Sequence, residues 1–349
     1  MGVLKEKILG KTGLKVRTLG FGGIPIQRVS EDEAVNIVRH CYDLGMNYFD
    51  TARGYTISEE RIGKALEDVR EDVIIATKSG RRDADGIREE MATSLKNLRT
   101  DYIDNYQLHN VSNQKQWEEV RAPGGAMEAI NEAHEEGVIK HVSITSHNPD
   151  IAIELVKSGL FETLMIPYNY LTPKPAEVLL PLCKELNVGT IIMKPFGGGA
   201  FSNANTALKW VFKDPNTDLV IPGVMSLDEI DENHAIWQGD LTITPEEEGL
   251  IAYDKNELGD SFCRGCNYCQ PCPSGIPISY MLRAEKQMLR RMGWSDSRVE
   301  GMKAAFKKVD RCIECGACET RCPYELPIIK LLPEAVASLK VHMENRTIP

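Results

Sequence analysis

The stretch SEDEAVNIVRHCYDLGMNYFD, Ser30 to Asp50, contains one complete helix signal and one complete strand signal in immediate succession. Ser30 and Glu33 stand at capping-box spacing, apolar residues recur at helical intervals through Cys41, and Gly45 is placed to end the helix. The next run, NYFD, is short, apolar and aromatic, and it closes on a carboxylate. The same alternation repeats along the chain. VRTLGFG, VIIATK, YIDNYQLH, KHVSIT, TLMIPY, GTIIM and DLVIPG read as further strands. SEERIGKALEDV and PAEVLLPLCKELN are two of the amphipathic segments between them. Eight apolar strands joined by helices predict a parallel sheet buried on both faces, closed as an α/β (β/α)8 TIM barrel. An open doubly wound sheet is the competing fold, but GFGGIP after the first strand lacks the G-x-G-x-x-G spacing. The opening KEKILGKTGLKV reads as a hairpin around Thr12-Gly13, ahead of the barrel.

Composition narrows the setting. The chain has 349 residues, 42% hydrophobic and 26% charged, with 41 Lys and Arg against 51 Asp and Glu. The resulting net charge of −10 argues against a general nucleic-acid or anionic-membrane surface. The sequence contains no apolar run of about eighteen residues, so no membrane span is expected. MGVLKEKILGKTGLKV carries charges where a signal peptide needs an apolar core, and Glu6 breaks the myristoylation pattern. A cytoplasmic protein is the expectation, and in that compartment ten cysteines are not read as disulfides. Eight of the ten lie beyond residue 262, which splits the chain into a barrel over 1–255 and a cysteine-rich domain over 256–349.

In a barrel of this kind the chemistry sits at the C-terminal ends of the strands. Those positions supply Gly23, Asp50 with Tyr55, Lys78, His109, Thr145 and Ser146, Asn169, and Lys194 followed by Phe196, Gly197 and Gly198. Asp50, Tyr55, Lys78 and His109 form a proton-donor set. A nearby ammonium stabilises a phenolate, a carboxylate keeps that ammonium charged, and a histidine orients the substrate oxygen. Taken singly, each residue has a plainer structural reading as a solvated charge or loop packing; the joint placement carries the assignment. KPFGGG gives backbone N–H groups room to approach a phosphate, or is simply a flexible loop.

GMNYFDTARGY, IIATKSG and DNYQLH resemble signature segments of the aldo-keto reductase family, (β/α)8 enzymes that reduce carbonyls with NAD(P)H. The resemblance covers about residues 5–240. It implies Tyr55 as general acid, Lys78 and Asp50 as its tuning pair, and His109 as substrate orienter. IPGVMSLDEIDEN resembles the family's cofactor segment ending in Glu-Asn, which implies Glu232 and Asn233 near the adenine. The family's Ser-Asn pair and Gln around the nicotinamide align with Thr145, Ser146 and Met165, and its stacking aromatic aligns with Met193. Gly223 and Glu229 stand where NADP-binding members carry basic residues, a lean toward NADH.

The cysteine runs are CRGCNYCQPCP, Cys263 to Pro273, and CIECGACETRCP, Cys312 to Pro323. The second matches the bacterial ferredoxin pattern, in which three cysteines hold one cubane and the fourth, before Pro, reaches the other. Two [4Fe–4S] clusters with crossed ligation follow. One uses Cys263, Cys266, Cys269 and Cys322; the other uses Cys312, Cys315, Cys318 and Cys272. Structural zinc is the alternative, although zinc sites usually pair two C-x2-C units rather than two triplets. Cys41 and Cys183 lie in helical patterns and read as small buried hydrophobes. ISYMLRAEKQMLRRMGWSDSRVEGMKAAFKKV, between the runs, is mostly helix-forming and resembles the insert of helical ferredoxin modules. ELPIIKLLPEAVASLKVHMENR should pack as a helix against the clusters or the barrel.

Together these features resemble the ferredoxin-type aldo-keto reductases, with a small carbonyl substrate and room for a redox partner protein. A chemical tension follows, because nicotinamide moves two electrons and each cluster moves one. Splitting a hydride normally calls for a flavin or similar cofactor, and no flavin motif is evident. The alternative is an electron-transfer subunit of a larger redox complex whose barrel docks partners or binds another organic cofactor.

Overall fold

The computed structural model describes residues 5–201, 203–259, 261–265, 269–289, 293–322 and 324–347. The chain divides into two compact units, Met1–Pro195 with Asn203–Glu248, and Phe196–Ser202 with Gly249–Pro349. The helix Pro245–Leu258 runs through the division. A boundary drawn at 255 from composition therefore falls inside one helix, seven residues past the structural one. The larger difference is the glycine-rich Phe196–Ser202 loop, which clusters with the second unit and not with the barrel that precedes and follows it.

In the first unit a two-stranded antiparallel hairpin, β1 (Glu6–Ile8) and β2 (Lys15–Arg17), comes first. Eight parallel strands follow in sequence order: β3 (Phe21–Gly22), β4 (Tyr48–Asp50), β5 (Ile74–Ser79), β6 (Ile103–Leu108), β7 (Ile139–Thr145), β8 (Thr163–Pro167), β9 (Gly189–Met193) and β10 (Leu219–Val220). The sheet closes on itself where β10 meets the start of β3. Val220 N donates to Thr18 O at 2.8 Å, Gly20 N to Val220 O at 2.9 Å, and Gly22 N to Pro222 O at 3.0 Å. The helices α1 (Glu31–Asp43), α2 (Ser58–Leu66), α3 (Ala84–Leu98), α4 (Gln114–Arg121), α5 (Ala126–Glu135), α6 (Pro149–Lys157), α7 (Leu179–Glu185), α8 (Ala204–Phe212) and α9 (Leu227–Gln238) fall between and after the strands. This is the (β/α)8 barrel that the alternation predicts.

The opening stretch forms as its residues dictate. Glu33 N donates to Ser30 Oγ and Ser30 N donates to Glu33 Oε2, a complete capping box that satisfies two N–H groups of the first turn of α1. Gly45 follows the helix at φ +87°, the left-handed region where a side chain would strain the backbone. Ala34, Ile37, Val38 and Cys41 form the buried stripe of α1. Cys41 and Cys183 are both buried, and burial pushes the Cys183 thiol up to about 12, so both remain protonated small hydrophobes.

The hairpin closes one end of the barrel. Leu9 and Val16 are fully buried in a cluster with Tyr48, Ala76, Ile191 and Leu219, which come from four strands. Each such burial contributes about 1.5–3 kcal/mol. The opposite, C-terminal strand ends are left for chemistry.

In the second unit the segment between the cysteine runs is helical over Ile278–Arg283, continues as a π-helix over Ala284–Leu289, and is helical again over Asp296–Val309. The terminal helix Ile328–Asn345 buries Ile328, Leu332, Val336 and Leu339 in one apolar cluster with Cys263 and Cys269. Among the described residues, no helix is long and apolar enough to cross a membrane.

Candidate active site and candidate cluster site

Asp50 is the last residue of β4 and Lys78 the fifth of β5, and the parallel register of these strands brings both side chains to the same end of the barrel. Lys78 Nζ donates to Asp50 Oδ2 at 2.5 Å and to Thr51 O at 2.7 Å, and both side chains are almost wholly buried. Gln107 Nε2 donates to the other Asp50 oxygen at 2.8 Å. Burial alone lowers the Lys78 pKa, but the Asp50 carboxylate and the Tyr55 phenol outweigh it and hold the ammonium above the ordinary lysine value. A permanently charged lysine is thereby fixed under the barrel mouth.

Tyr55 lies on the loop after β4, with Lys78 Nζ 5.0 Å from its ring centroid. His109, just past β6, meets the same ring edge-on at a centroid distance of 5.9 Å. All four residues of the expected set are therefore brought together. The electrostatics differ from expectation in one respect. Burial raises the Tyr55 pKa, and Lys78 pulls it back without reversing it, so the phenol is held protonated at neutral pH. His109 is lowered to about 3, by burial first and then by Lys78, Arg82 and Lys194, and is neutral. A neutral imidazole beside a protonated phenol offers a substrate oxygen hydrogen bonds without adding charge.

The His109 depression has a measurable consequence. The unfolded chain takes up a proton near pH 6.5 and the folded site does not until about pH 3. The stability from the neutral imidazole is complete above about pH 6.5 and is lost as the pH falls toward 3. Urea midpoints at pH 7 and pH 5 should therefore fall further apart in the wild type than in His109→Gln; equal slopes would contradict this.

Several supporting residues were not singled out from the sequence. Glu59, fully buried at the start of α2, ion-pairs with Arg53 and accepts from Thr77 Oγ1 at 2.7 Å, Ser94 Oγ at 2.6 Å and Asn97 Nδ2 at 3.1 Å. It links the Tyr55 loop to the neighbour of Lys78, and the four donors offset a desolvation cost of several kcal/mol. Arg82 donates to His109 O at 2.8 Å and Asn110 O at 3.0 Å, while His109 N donates to Ser79 O at 2.8 Å. Gln107 had a signal: it lies two residues before His109, near the end of β6, at the strand-end position where the chemistry was expected. Arg82 and Glu59 had none, since their bonds span distant segments.

The expected cofactor residues divide by role. Gly23 N donates to Asp50 O at 2.7 Å, and a Cβ there would stand 2.6 Å from that oxygen, so this glycine permits the close approach of β3 and β4. Thr145 Oγ1 accepts from Asn110 N at 2.7 Å, which leaves its own proton available to an amide oxygen. Ser146 Oγ accepts from Asn148 N and bonds Asn148 O, both at 3.1 Å, and lies 3.1 Å from Ser112 Oγ. A nicotinamide carboxamide thus fits Thr145 better than Ser146. Met165 is buried in the interior cluster with Met193 packed against it. Lys194 lies near enough to His109 and His147 to lower both. On α9, Asn233 is buried and Glu232 exposed. Phe196, Gly197 and Gly198 belong to the loop that clusters with the second unit.

In the second unit Cys272, Cys312, Cys315 and Cys318 line one pocket, walled by Ile276, Ile278, Ile329 and Leu332. Three of these thiols come from the second run and one from the first. Four thiols around an apolar pocket are a donor set that fits a [4Fe–4S] cubane. Among the described residues, no three His, Cys, Asp or Glu side chains converge on one ion-sized point. Cys263 and Cys269 are buried, and Cys322 is partly buried against the same apolar cluster. Cys266 lies outside the described residues.

Comparison with known proteins adds two matches. The pattern of the aldo/keto reductase family matches residues 18–207, and that of a 4Fe-4S dicluster domain matches residues 262–327. An uncharacterised oxidoreductase of Bacillus subtilis is 31% identical over 210 residues, covering 56% of this chain and 66% of that protein. L-galactose dehydrogenase of Arabidopsis thaliana is 32% identical over 218 residues, covering 57% of this chain and 67% of the plant protein. The solved holo structure of an aldo-keto reductase from Bacillus halodurans superposes with a TM-score of 0.63 at 28% identity, covering 72% of this chain and 96% of that one.

Proposed function

Because the chain belongs to the aldo/keto reductase family and carries a 4Fe-4S dicluster domain, we propose that it interconverts small carbonyl compounds and alcohols with NAD(P)H and holds two [4Fe–4S] clusters for electron transfer. The observation that carries the barrel's part is the buried Lys78–Asp50 pair beneath Tyr55 and His109.

Reduced nicotinamide, when bound, supplies the hydride taken up by the carbonyl carbon. The chain's own residues handle the proton. His109, neutral, hydrogen-bonds the carbonyl oxygen and sets its position beside Tyr55. Tyr55 Oη gives its proton to that oxygen, and the phenolate left behind faces the Lys78 ammonium, which stabilises it. Asp50, held by Lys78 and Gln107, keeps the ammonium charged throughout. Solvent then returns a proton to Tyr55. In the alcohol-oxidising direction the same groups run in reverse.

NADH is the preferred reductant on this reading. At the N-terminus of α9, Glu229 Oε2 accepts from Met225 N at 2.7 Å and Ser226 Oγ accepts from Glu229 N at 3.2 Å, which fixes a carboxylate in the loop that follows Gly223. A fixed carboxylate repels a 2′-phosphate. Steady-state reduction of an aldehyde panel should give a higher kcat/KM with NADH than with NADPH; a preference for NADPH would contradict the assignment, and turnover with neither would remove the reductase reading.

A second reading, an electron-transfer subunit whose barrel serves a partner, is favoured by one observation: Ser146 already spends its hydroxyl on the chain. Failure of both nucleotides in the same assay, with the clusters intact, is its expected result.

A further inference from the structure

Arg321 lies one residue before Cys322, immediately after the short helix Ala317–Thr320. Its guanidinium reaches in two directions. Nε donates to Ala317 O, within its own run, at 2.6 Å. The other two nitrogens donate to Gln270 O and Pro271 O, both at 3.1 Å, the consecutive carbonyls that precede Cys272 in the first run. The same side chain lines the pocket ringed by Cys272, Cys312, Cys315 and Cys318.

The Cys272 loop is organised around those carbonyls. Cys272 N donates to Gln270 Oε1 at 2.9 Å, and Gln270 Nε2 donates to Ile276 O at 2.8 Å. Gly275 N closes the turn onto Cys272 O at 2.9 Å. The segment Gln270–Ile276 is thus a locally folded turn, gripped from the second run at the two residues before Cys272. Crossed ligation makes this grip consequential. Three thiols of the second cluster share one short loop, but the fourth comes from a segment some forty residues away and must be held against its loop entropy.

We infer that Arg321 is a positioning residue for the cluster held by Cys272, Cys312, Cys315 and Cys318: its planar fork delivers Cys272 to the other three thiols, and its fixed charge favours the reduced cluster. The fork uses the guanidinium, because three separate nitrogens reach three carbonyls, whereas a lysine ammonium is a compact point charge without that planar spread. The charge acts because reduction adds an electron to a site already ringed by thiolates, and a cation beside it stabilises the added charge. The inference rests on the dicluster reading above.

The test uses the full chain, purified anaerobically, as wild type, Arg321→Lys and Arg321→Met. Iron and acid-labile sulfide per chain, and midpoint potentials from an EPR-monitored titration, are the readouts. The wild type should hold about eight irons. Arg321→Met should lose up to half of that iron, all from one cluster, and any of that cluster retained should have a lower midpoint potential than wild type. Arg321→Lys keeps the charge without the fork, so its potential should stay near wild type while its iron falls. Wild-type iron and unchanged potentials in Arg321→Met would overturn the inference, as would equal loss from both clusters, which marks a general folding defect. A wild-type chain without iron would instead overturn the dicluster reading itself.

Discussion

Replacing Tyr55 with phenylalanine is expected to abolish NAD(P)H-dependent carbonyl reduction while leaving the fold and nucleotide binding intact. The substitution removes one oxygen. The ring that meets His109 edge-on at 5.9 Å and stands 5.0 Å from Lys78 Nζ remains, so the packing at the mouth is retained. What is lost is the proton source. A positioned general acid contributes about 10²- to 10⁴-fold, and here the remaining groups are poor substitutes. His109 is lowered to about 3 and carries no acidic proton at neutral pH, and Lys78 is held charged by Asp50 and points into the barrel. The expected result is a kcat lower by about 10² or more, with nucleotide affinity from fluorescence titration and the thermal midpoint close to wild type. Unchanged turnover across an aldehyde panel would remove the tetrad from the mechanism.

Replacing Cys272 with serine is expected to remove one of the two clusters, and to remove the one that belongs to the other cysteine run. Cys272 shares its pocket with Cys312, Cys315 and Cys318, and among the described residues neither Cys263 nor Cys269 lines it. Loss of one thiolate from a cubane site should take about four of about eight irons. The surviving cluster distinguishes the ligation schemes. With crossed ligation, Cys272→Ser and Cys315→Ser leave the same EPR signal, that of the cluster held by Cys263, Cys266, Cys269 and Cys322. With uncrossed ligation, Cys272→Ser would match Cys263→Ser instead. Carbonyl reduction by the barrel should persist in both variants, since the tetrad lies wholly in the first unit.

Most of the barrel was legible because its signals are local. A capping box at Ser30 and Glu33, a left-handed glycine at 45 and short apolar strand runs are local patterns, and the structure forms them as written. The tetrad was legible for a related reason: in this fold strand ends converge, so four strand-end residues imply one site. The missed residues are those whose partners are remote. Glu59 gathers Arg53, Thr77, Ser94 and Asn97 from three segments, and Arg82 braces the carbonyl of His109 from 27 residues away in sequence. No periodicity encodes such bonds. Gly23 and Ser146, expected near a cofactor, are also engaged in close packing and in loop bonds, which no local pattern announces. The Phe196–Ser202 loop belongs with the cysteine-bearing unit although it interrupts the barrel in sequence, and nothing in its seven-residue composition of Phe, Gly, Ala and Ser announces that.

We propose that one chain carries both a nicotinamide-dependent reductase barrel and a two-cluster iron–sulfur module. Metal analysis of the anaerobically purified protein, with its visible spectrum taken before and after NADH and then dithionite, tests it most directly. About eight irons per chain and no stoichiometric zinc are expected, with broad visible absorbance that bleaches on reduction. Bleaching by NADH alone would connect the barrel to the clusters within this chain, and bleaching by dithionite alone would place a partner or mediator between them. Stoichiometric zinc with no iron, and a colourless protein, would rule out the two-cluster module.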